Sequence, residues 1–345
     1  MTNKKIRNME DFALATGISR PTLSKYFNDP ASVRHSTREK IERALSEFDY
    51  RPNMFAVNMN RQKSKNIGII VPSITDPFYA EIVRQIEILS LREGYWAIVL
   101  SSHGEQTLEA KAIETALSLK LSGAIIAPLG QASDRAQIES LGRTMPLVFL
   151  DSRIGDALPF VGTDNIQSIS LMVEYLCRTG EQPCFLEMPP LNSNAAGRRE
   201  AYVMAMRRLG QEPRVIPVAS HAWDFEQVGF EETCRQLDAG GFPTRTILCA
   251  NDRLAFGVMA AAFQRGLRIG RRPEDDVRVA AHDDHPLSRY TCPPLTTVAQ
   301  DYSQLARSCL DLLLEAIGDS QRSLSPRPPA PLTLLETKLI MRESA

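Results

Sequence analysis

Acidic and amide residues that fall just beyond short apolar runs are the groups in this chain best placed to hold a ligand. Asp151 follows Leu147–Leu150, Asn251 and Asp252 follow Thr246–Ala250, and Asp283 follows Val277–Ala281. If those runs are parallel strands, such residues stand at the carboxyl edge of a sheet, where open α/β sheets bind ligands. Carboxylates and amides there can accept from and donate to the hydroxyls of a neutral polyhydroxy molecule, with an aromatic face against its apolar side. Taken singly, each could also be a capping or surface residue. The run His282-Asp283-Asp284-His285 raises a metal site. Two histidines three apart in a loop have no third-ligand motif beside them, so no metal and no other cofactor is expected. No G-x-S-x-G, Walker A or G-x-G-x-x-G run accompanies these acids, so no catalytic residues and no enzyme activity are expected either.

The elements needed to position these residues alternate along the chain. Candidate strands are Ile67–Val71, Ala97–Ser101, Ala124–Ala127, Leu147–Leu150, Phe160–Val161, Cys184–Met188, Thr246–Ala250 and Val277–Ala281. Helix-period segments separate most of them: Phe78–Arg92, Leu108–Leu119, Ile166–Arg178, Arg198–Leu209, Phe225–Leu237 and Arg253–Arg265. Short β-rich runs alternating with such helices imply an α/β fold of parallel sheets covered on both faces. So many strands suit two doubly wound lobes better than one. Pro-rich Ser325–Pro331 breaks the last helix, Tyr302–Ile317, before a terminal β segment at Leu332–Ile340.

With 345 residues, 43% of them hydrophobic and 23% charged, the chain has material for two or three globular domains. Its apolar runs fall far short of the roughly 20 residues that span a bilayer. The six cysteines are scattered with no C-x-x-C pair and read as reduced core residues. Met1-Thr-Asn-Lys-Lys-Ile-Arg7 has no apolar run after it, so no secretory signal and a cytoplasmic location are expected.

Positive charge is concentrated at the front. Residues 1–65 carry 13 Lys and Arg against 7 Asp and Glu, a net of +6, while the remainder carries −7. A basic head on an acidic body points to a polyanionic partner for the head, although a solvated charged surface would have the same composition. Residues 8–49 read as three short helices. Asn8 caps the first, with Met9, Phe12 and Ala13 apolar and Gly17 as its stop; Ser19 caps the second, with Pro21 in its first turn. Thr37 is expected to cap the third, Arg38–Phe48. The Gly-Ile-Ser turn between the first two has helix-turn-helix spacing. Tyr26 and Phe27 read as head core.

The run Asp11-x-Ala13-x-x-x-Gly17-Ile18-Ser19-x-x-Thr22-Leu23-Ser24-Lys25-x-x-Asn28, with Thr37-Arg38-Glu39-Lys40-Ile41 and Tyr50-Arg51-Pro52-Asn53 after it, resembles the headpiece of the lactose/galactose repressor (LacI) family. Further anchors run through the body: Ile69-Ile-Val-Pro72 with Asp76-Pro77-Phe78-Tyr79, Gly123-Ala-Ile-Ile-Ala-Pro128, Ala250-Asn251-Asp252-x-x-Ala255-x-Gly257, Asp283-Asp284, and Pro293-Pro-Leu-Thr-Thr-Val298 with Gln300. The resemblance implies a helix-turn-helix headpiece over 1–50, a hinge over 51–65, and an effector-binding and dimerisation body over 66–345. That body would be similar to periplasmic sugar-binding proteins, with ligand held between lobes of about 66–162 plus 295–323 and about 163–294 plus 324–345, joined by three crossings.

On the DNA side the resemblance assigns Arg20, Pro21 and Lys25 to base edges, and Thr22, Ser24 and Asn28 to phosphates. Arg and Lys suit guanine O6 and N7, whereas Pro21 offers only apolar contact. Asn53 would open a hinge helix in which Met59 holds the place of a leucine wedged into the minor groove, with Asn60 replacing a common basic residue. On the effector side it assigns Phe78, Asp151, Arg198, Asn251, Asp283 and Gln300, with Trp223 one position off the usual aromatic. Arg199 competes with Arg198, because Asn194-Ala-Ala-Gly-Arg198-Arg-Glu-Ala-Tyr202 departs from the family's S-A-x-x-R-x-x-G-F. His282 takes a place that is usually aromatic and reads as packed. The implied partners are a pseudo-palindromic double-stranded operator, a small carbohydrate-like effector, and a second copy of the chain in a homodimer or tetramer; no membrane is implied. The implied function is a ligand-responsive transcriptional regulator, expected on this resemblance to be a repressor. A sugar-binding or sugar-modifying α/β protein with an unrelated helical head is the alternative, and the character of the head discriminates the two.

Overall fold

The computed structural model describes residues 6, 8–28, 30–48, 50, 64–320 and 330–345. The chain divides into two compact units, Met1–Lys65 and Asn66–Ala345. In the first, α1 (Met9–Thr16) starts at Asn8, whose side chain accepts from the backbone N–H groups of Glu10 and Asp11, and stops at left-handed Gly17. Helix α2 (Arg20–Asn28) follows Ser19, whose Oγ accepts from the Thr22 N–H at 3.4 Å. Helix α3 (His35–Phe48) begins earlier than expected. The N–H groups of Thr37 and Arg38 bond back to the Arg34 carbonyl at 2.9 and 3.0 Å, so Thr37 lies inside the first turn and is not its cap.

Phe12, Leu23 and Ile41 are fully buried in the centre of this unit, and the Phe12 ring stacks on Tyr50 at 4.5 Å. Tyr26 is buried and Phe27 packs against the same core. A core this small supplies only a few kcal/mol of stability. Phe12→Ala should therefore cost about 3–5 kcal/mol and unfold the head while the body keeps its own melting transition. Calorimetry of the full chain, read beside a DNA-binding assay, checks this.

The second unit contains two six-stranded sheets. The first holds β1 (Asn66–Val71), β2 (Trp96–Ser101), β3 (Ala124–Ile126), β4 (Leu147–Leu150), β5 (Phe160–Thr163) and β11 (Leu332–Leu335), in the order β11-β5-β4-β3-β1-β2 and parallel throughout. Helices α4 (Pro77–Arg92) and α11 (Tyr302–Ser320) cover one of its faces; α5 (Gln106–Ser118) and α6 (Arg135–Thr144) cover the other. The second sheet holds β6 (Pro183–Leu186), β7 (Val215–Ile216), β8 (Thr246–Cys249), β9 (Arg278–Asp283), β10 (Thr296–Ala299) and β12 (Lys338–Ile340), in the order β12-β10-β9-β8-β6-β7. Its pairs are parallel except for β10 with β12. Around it pack α7 (Asn165–Thr179), α8 (Ser193–Arg208), α9 (Phe225–Asp238) and α10 (Asp252–Gln264).

Three segments join the lobes, but two of them fall later than the expected boundaries near 294 and 323. Thr296–Ala299 pairs with β9 and β12 in the second sheet, so the chain crosses between Ala299 and Tyr302. The terminal β segment is also two strands rather than one. Leu332–Leu335 pairs with β5 and Lys338–Ile340 with β10, which puts the third crossing at Glu336–Thr337. Helix α6 and strands β7 and β10 had no assigned counterpart in the sequence pattern.

Candidate functional site

The carboxyl ends of both sheets face a common cleft lined by acidic, amide, arginine and aromatic side chains. Asp151 follows β4 with φ +63, Asp283 ends β9 with φ +123, and Asn251 caps α10 after β8. Positive φ at two non-glycine residues is backbone strain of the kind that collects at ligand clamps. Phe78, Asp151, Arg198, Trp223, Asn251, Asp283 and Gln300 all line this cleft. Arg198 is buried within it, while its neighbour Arg199 is half-exposed and pairs with Glu187 at 3.2 Å. The position assigned with a competitor is thus the one inside.

Asp283 is the centre of the hydrogen bonding. Its Oδ1 accepts from Arg198 Nη2 at 3.0 Å, His282 Nδ1 at 2.8 Å and Gln300 Nε2 at 2.7 Å. Burial opposes the charge, but Arg198 and His282 outweigh it and hold the carboxyl below its usual value. Oδ2 is left without a donor among the described residues. His282 is fully buried, and burial together with the Arg198 charge pushes it down to about 4, so it is a neutral ring donating through Nδ1. Asp151 accepts from Tyr79 Oη at 2.9 Å and from Asn194 Nδ2 at 2.9 Å. Burial raises it to about 6 against the opposing pull of Arg198.

Several residues here were quoted within motifs but not assigned to the site. Asp76 caps α4 and takes an ion pair from Arg253 Nη1 at 3.1 Å, while Arg253 grips Glu226 through Nε and Nη2 at 2.7 and 2.6 Å. Asp76 and Arg253 belong to different lobes, as do Asp151 and Asn194, so side chains tie the lobes together across the cleft. Tyr79, Asn192, Asn194 and Phe225 complete much of the lining. Asp76 lies in the loop after β1, separated from Val71 by Pro72–Thr75, and so lacked the strand-end signal of Asp151. Arg253 and Asn194 lie in helices and carried none.

Asp252 lies beneath this wall, fully buried, and does not line it. It accepts from the His285 N–H at 2.8 Å, Ser288 Oγ at 2.5 Å and Thr297 Oγ1 at 2.6 Å, which fastens the loop after β9 to α10. Burial and the charge of Asp283 raise its carboxyl to about 8. A group raised in the folded state binds more protons there, so its contribution to stability falls as pH rises toward the folded value. The stability advantage of wild type over Asp252→Asn should therefore shrink between about pH 4 and about pH 8 in urea melts. An advantage that grows with pH would contradict this assignment.

In the head, Arg20, Pro21 and Lys25 are exposed on α2, and Arg20 lies 3.9 Å from Glu10. Thr22 and Ser24 are partly buried, with Thr22 Oγ1 at 2.8 Å from Ser19 Oγ. Asn28 is the last residue of α2, and its side chain, like Asn53 and Met59 as a whole, lies outside the described residues. Among the described residues no group of His, Cys, Asp and Glu is arranged to hold a metal, and no helix is long and apolar enough to cross a membrane.

Two family models match the chain: bacterial regulatory proteins of the lacI family over residues 8–53, and a periplasmic binding protein-like domain over 183–345. The lactose operon repressor of Escherichia coli (strain K12) is 31% identical over 310 residues, which is 88% of this chain and 83% of the repressor. The chain belongs to the lacI family. A second family relative, the HTH-type transcriptional repressor CytR of the same organism, is 29% identical over 97% of this chain and 95% of its own length. The crystal structure of the lac repressor dimer bound to operator and the anti-inducer ONPF superposes with a TM-score of 0.81 at 27% identity, covering 99% of both chains. The match runs through head and body alike, so the head is not an unrelated appendage. As a lacI-family member the chain is a DNA-binding transcriptional regulator with a two-lobed body, and its relatives are repressors rather than enzymes.

Proposed function

We propose that this regulator represses transcription from a pseudo-palindromic operator as a homodimer and changes its operator affinity when a small neutral sugar or polyol occupies the body cleft. The observation that carries this reading is the unused oxygen of Asp283. Its partner oxygen is saturated, so Oδ2 is left to accept from ligand hydroxyls. Asn251 spends its Oδ1 on the Leu254 N–H, which leaves its Nδ2 as a donor beside Arg198. An acceptor flanked by donors suits neighbouring hydroxyls, each of which gives and takes a hydrogen bond. Phe78 and Trp223 add apolar walls.

Charge favours an uncharged effector. Asp76, Asp151 and Asp283 line the cleft, and both lining arginines are already paired, Arg198 with Asp283 and Arg253 with Asp76 and Glu226. A phosphate or carboxylate would meet no uncommitted cation there. The relatives agree in kind, since one is a ribose operon repressor of Escherichia coli (strain K12), 28% identical over 90% of this chain. A cytoplasmic regulator that is not an enzyme is the reading we adopt, in line with relatives that are transcriptional repressors.

A thermal-shift screen of neutral sugars and polyols should find the effector, with about 2.7 kcal/mol of stabilisation at 100 times Kd. Arg198→Ala and Asp283→Ala should keep operator binding and lose the effector response. A ligand that stabilises both variants as well as wild type would contradict the cleft assignment. On the head, Lys25→Ala should cost about 1–3 kcal/mol and relax preference at one base pair. Equal weakening on every sequence, measured by fluorescence anisotropy, would reduce Lys25 to a phosphate contact. Met59→Ala should blunt discrimination among operators with altered centres while leaving effector binding unchanged.

A further inference from the structure

Two of the three connections between the lobes carry side chains bonded directly to cleft residues. On the second connection, Gln300 donates to Asp283 Oδ1 at 2.7 Å, and Tyr302 at the start of α11 donates to the Asp283 carbonyl at 2.6 Å. On the first, Thr163 donates through its hydroxyl to Gln300 Oε1. Two residues later Asn165 opens α7. Its Oδ1 accepts from Arg198 Nε at 3.2 Å, and its Nδ2 donates to Asn194 Oδ1 at 2.9 Å. Asn194 in turn donates to Asp151 in the opposite lobe. The third connection is tied to the first, because Gln167 of α7 accepts from the N–H and hydroxyl of Thr337 at 3.0 and 2.8 Å.

Asn165 is thus the amide at which these chains of hydrogen bonds meet, although it does not itself line the cleft. Arg198 has one Nε hydrogen and spends it on Asn165, while its Nη1 and Nη2 hold the Ala250 carbonyl at 2.7 Å and Asp283 at 3.0 Å. A shift of the guanidinium toward a ligand therefore moves the partner of a residue fixed at the lobe connection. Helix α8 approaches closely here, since a Cβ on Gly197 would lie 3.3 Å from Asn165 Nδ2. The amide supplies one acceptor and one donor at a fixed separation, and an aliphatic side chain supplies neither.

We propose that Asn165 is a positioning residue that relays the state of the cleft to the connections between the lobes, and so to DNA binding. The proposal rests on the effector-responsive reading above. Coupling between two binding sites is reciprocal, so operator DNA must alter the cleft by the same factor by which a cleft ligand alters operator affinity. The relay can therefore be tested with DNA alone.

The chain has two tryptophans, and Trp96 is exposed on a strand at the edge of the first sheet. Trp96→Phe leaves Trp223 as the single reporter. Trp223 belongs to the second lobe and packs on Gly104 of the first so closely that a Cβ there would lie 2.6 Å from its Cδ1. The probe is a duplex selected from random sequence by the full-length protein. In the Trp96→Phe protein, adding this duplex should change Trp223 emission. Adding Asn165→Ala should leave the circular dichroism spectrum and duplex binding in place but remove the emission change. Should Asn165→Ala not fold, Asn165→Ser and Thr163→Val are read in the same way. A full emission change in folded Asn165 variants would overturn the relay. No change in the Trp96→Phe protein itself would overturn the effector-responsive reading, and the relay with it.

Discussion

Asp283 keeps its charge inside the body because three donors from separate parts of the fold converge on one of its oxygens. Arg198 comes from a helix of the second lobe, His282 from the same strand as the aspartate, and Gln300 from a connection between the lobes. An isolated carboxylate buried at this depth would take up a proton, so the donors must be in place whenever the charge is. That requirement reaches outward. Arg198 stays oriented only while the Ala250 carbonyl and Asn165 hold its other nitrogens. Burial keeps the ring of His282 neutral, and the ionised carboxylate of Asp283, which can only accept, selects the tautomer with the proton on Nδ1. The strained backbone at Asp283 persists under the same convergence of bonds.

Contrast between carboxylates of one type shows how environment divides their roles. Asp283 is paired and stays ionised. Asp252, more deeply buried and surrounded by neutral donors, is raised to about 8 and acts as a fastener under the cleft wall. Asp151 lies between them at about 6, with a tyrosine and an amide as direct partners. The ligand-facing surface thus has one ionised acceptor with an open oxygen, set among groups whose hydrogen bonding is largely complete. Such a surface favours hydroxyls over charged groups, and it engages both lobes at once. A ligand bound there can bias the lobe arrangement only through a difference in its interactions with the two arrangements.

Strand-end chemistry was legible in the sequence because a parallel strand buried on both faces reads as a short apolar run, and the polar residue after it stands out. Asp151, Asn251 and Asp283 were found in this way, and the resemblance added Phe78, Arg198, Trp223 and Gln300. The partners that cross the cleft were not legible. Asn194 and Arg253 sit in helices where an amide or arginine is ordinary surface composition, and only the tertiary fold brings them to Asp151 and Asp76. Strand β7 has two residues and gives no periodicity. Thr296–Ala299 lies within a quoted motif, but the sequence pattern did not reveal which sheet it joins; pairing with β9 decides that. In the head, the cap at Asn8 and the stop at Gly17 followed from local chemistry, whereas the start of α3 depended on Arg34, which has no capping side chain to advertise it.

The central claim is that cleft occupancy and DNA binding are two readings of one equilibrium in the body. The most direct test is a thermodynamic cycle on the full-length protein, with effector titrated in the absence and presence of saturating operator, and operator titrated in the absence and presence of saturating effector. The account predicts the same factor in both directions, about 5–150-fold for coupling of ordinary strength. An effector that binds free and DNA-bound protein with the same Kd would contradict it.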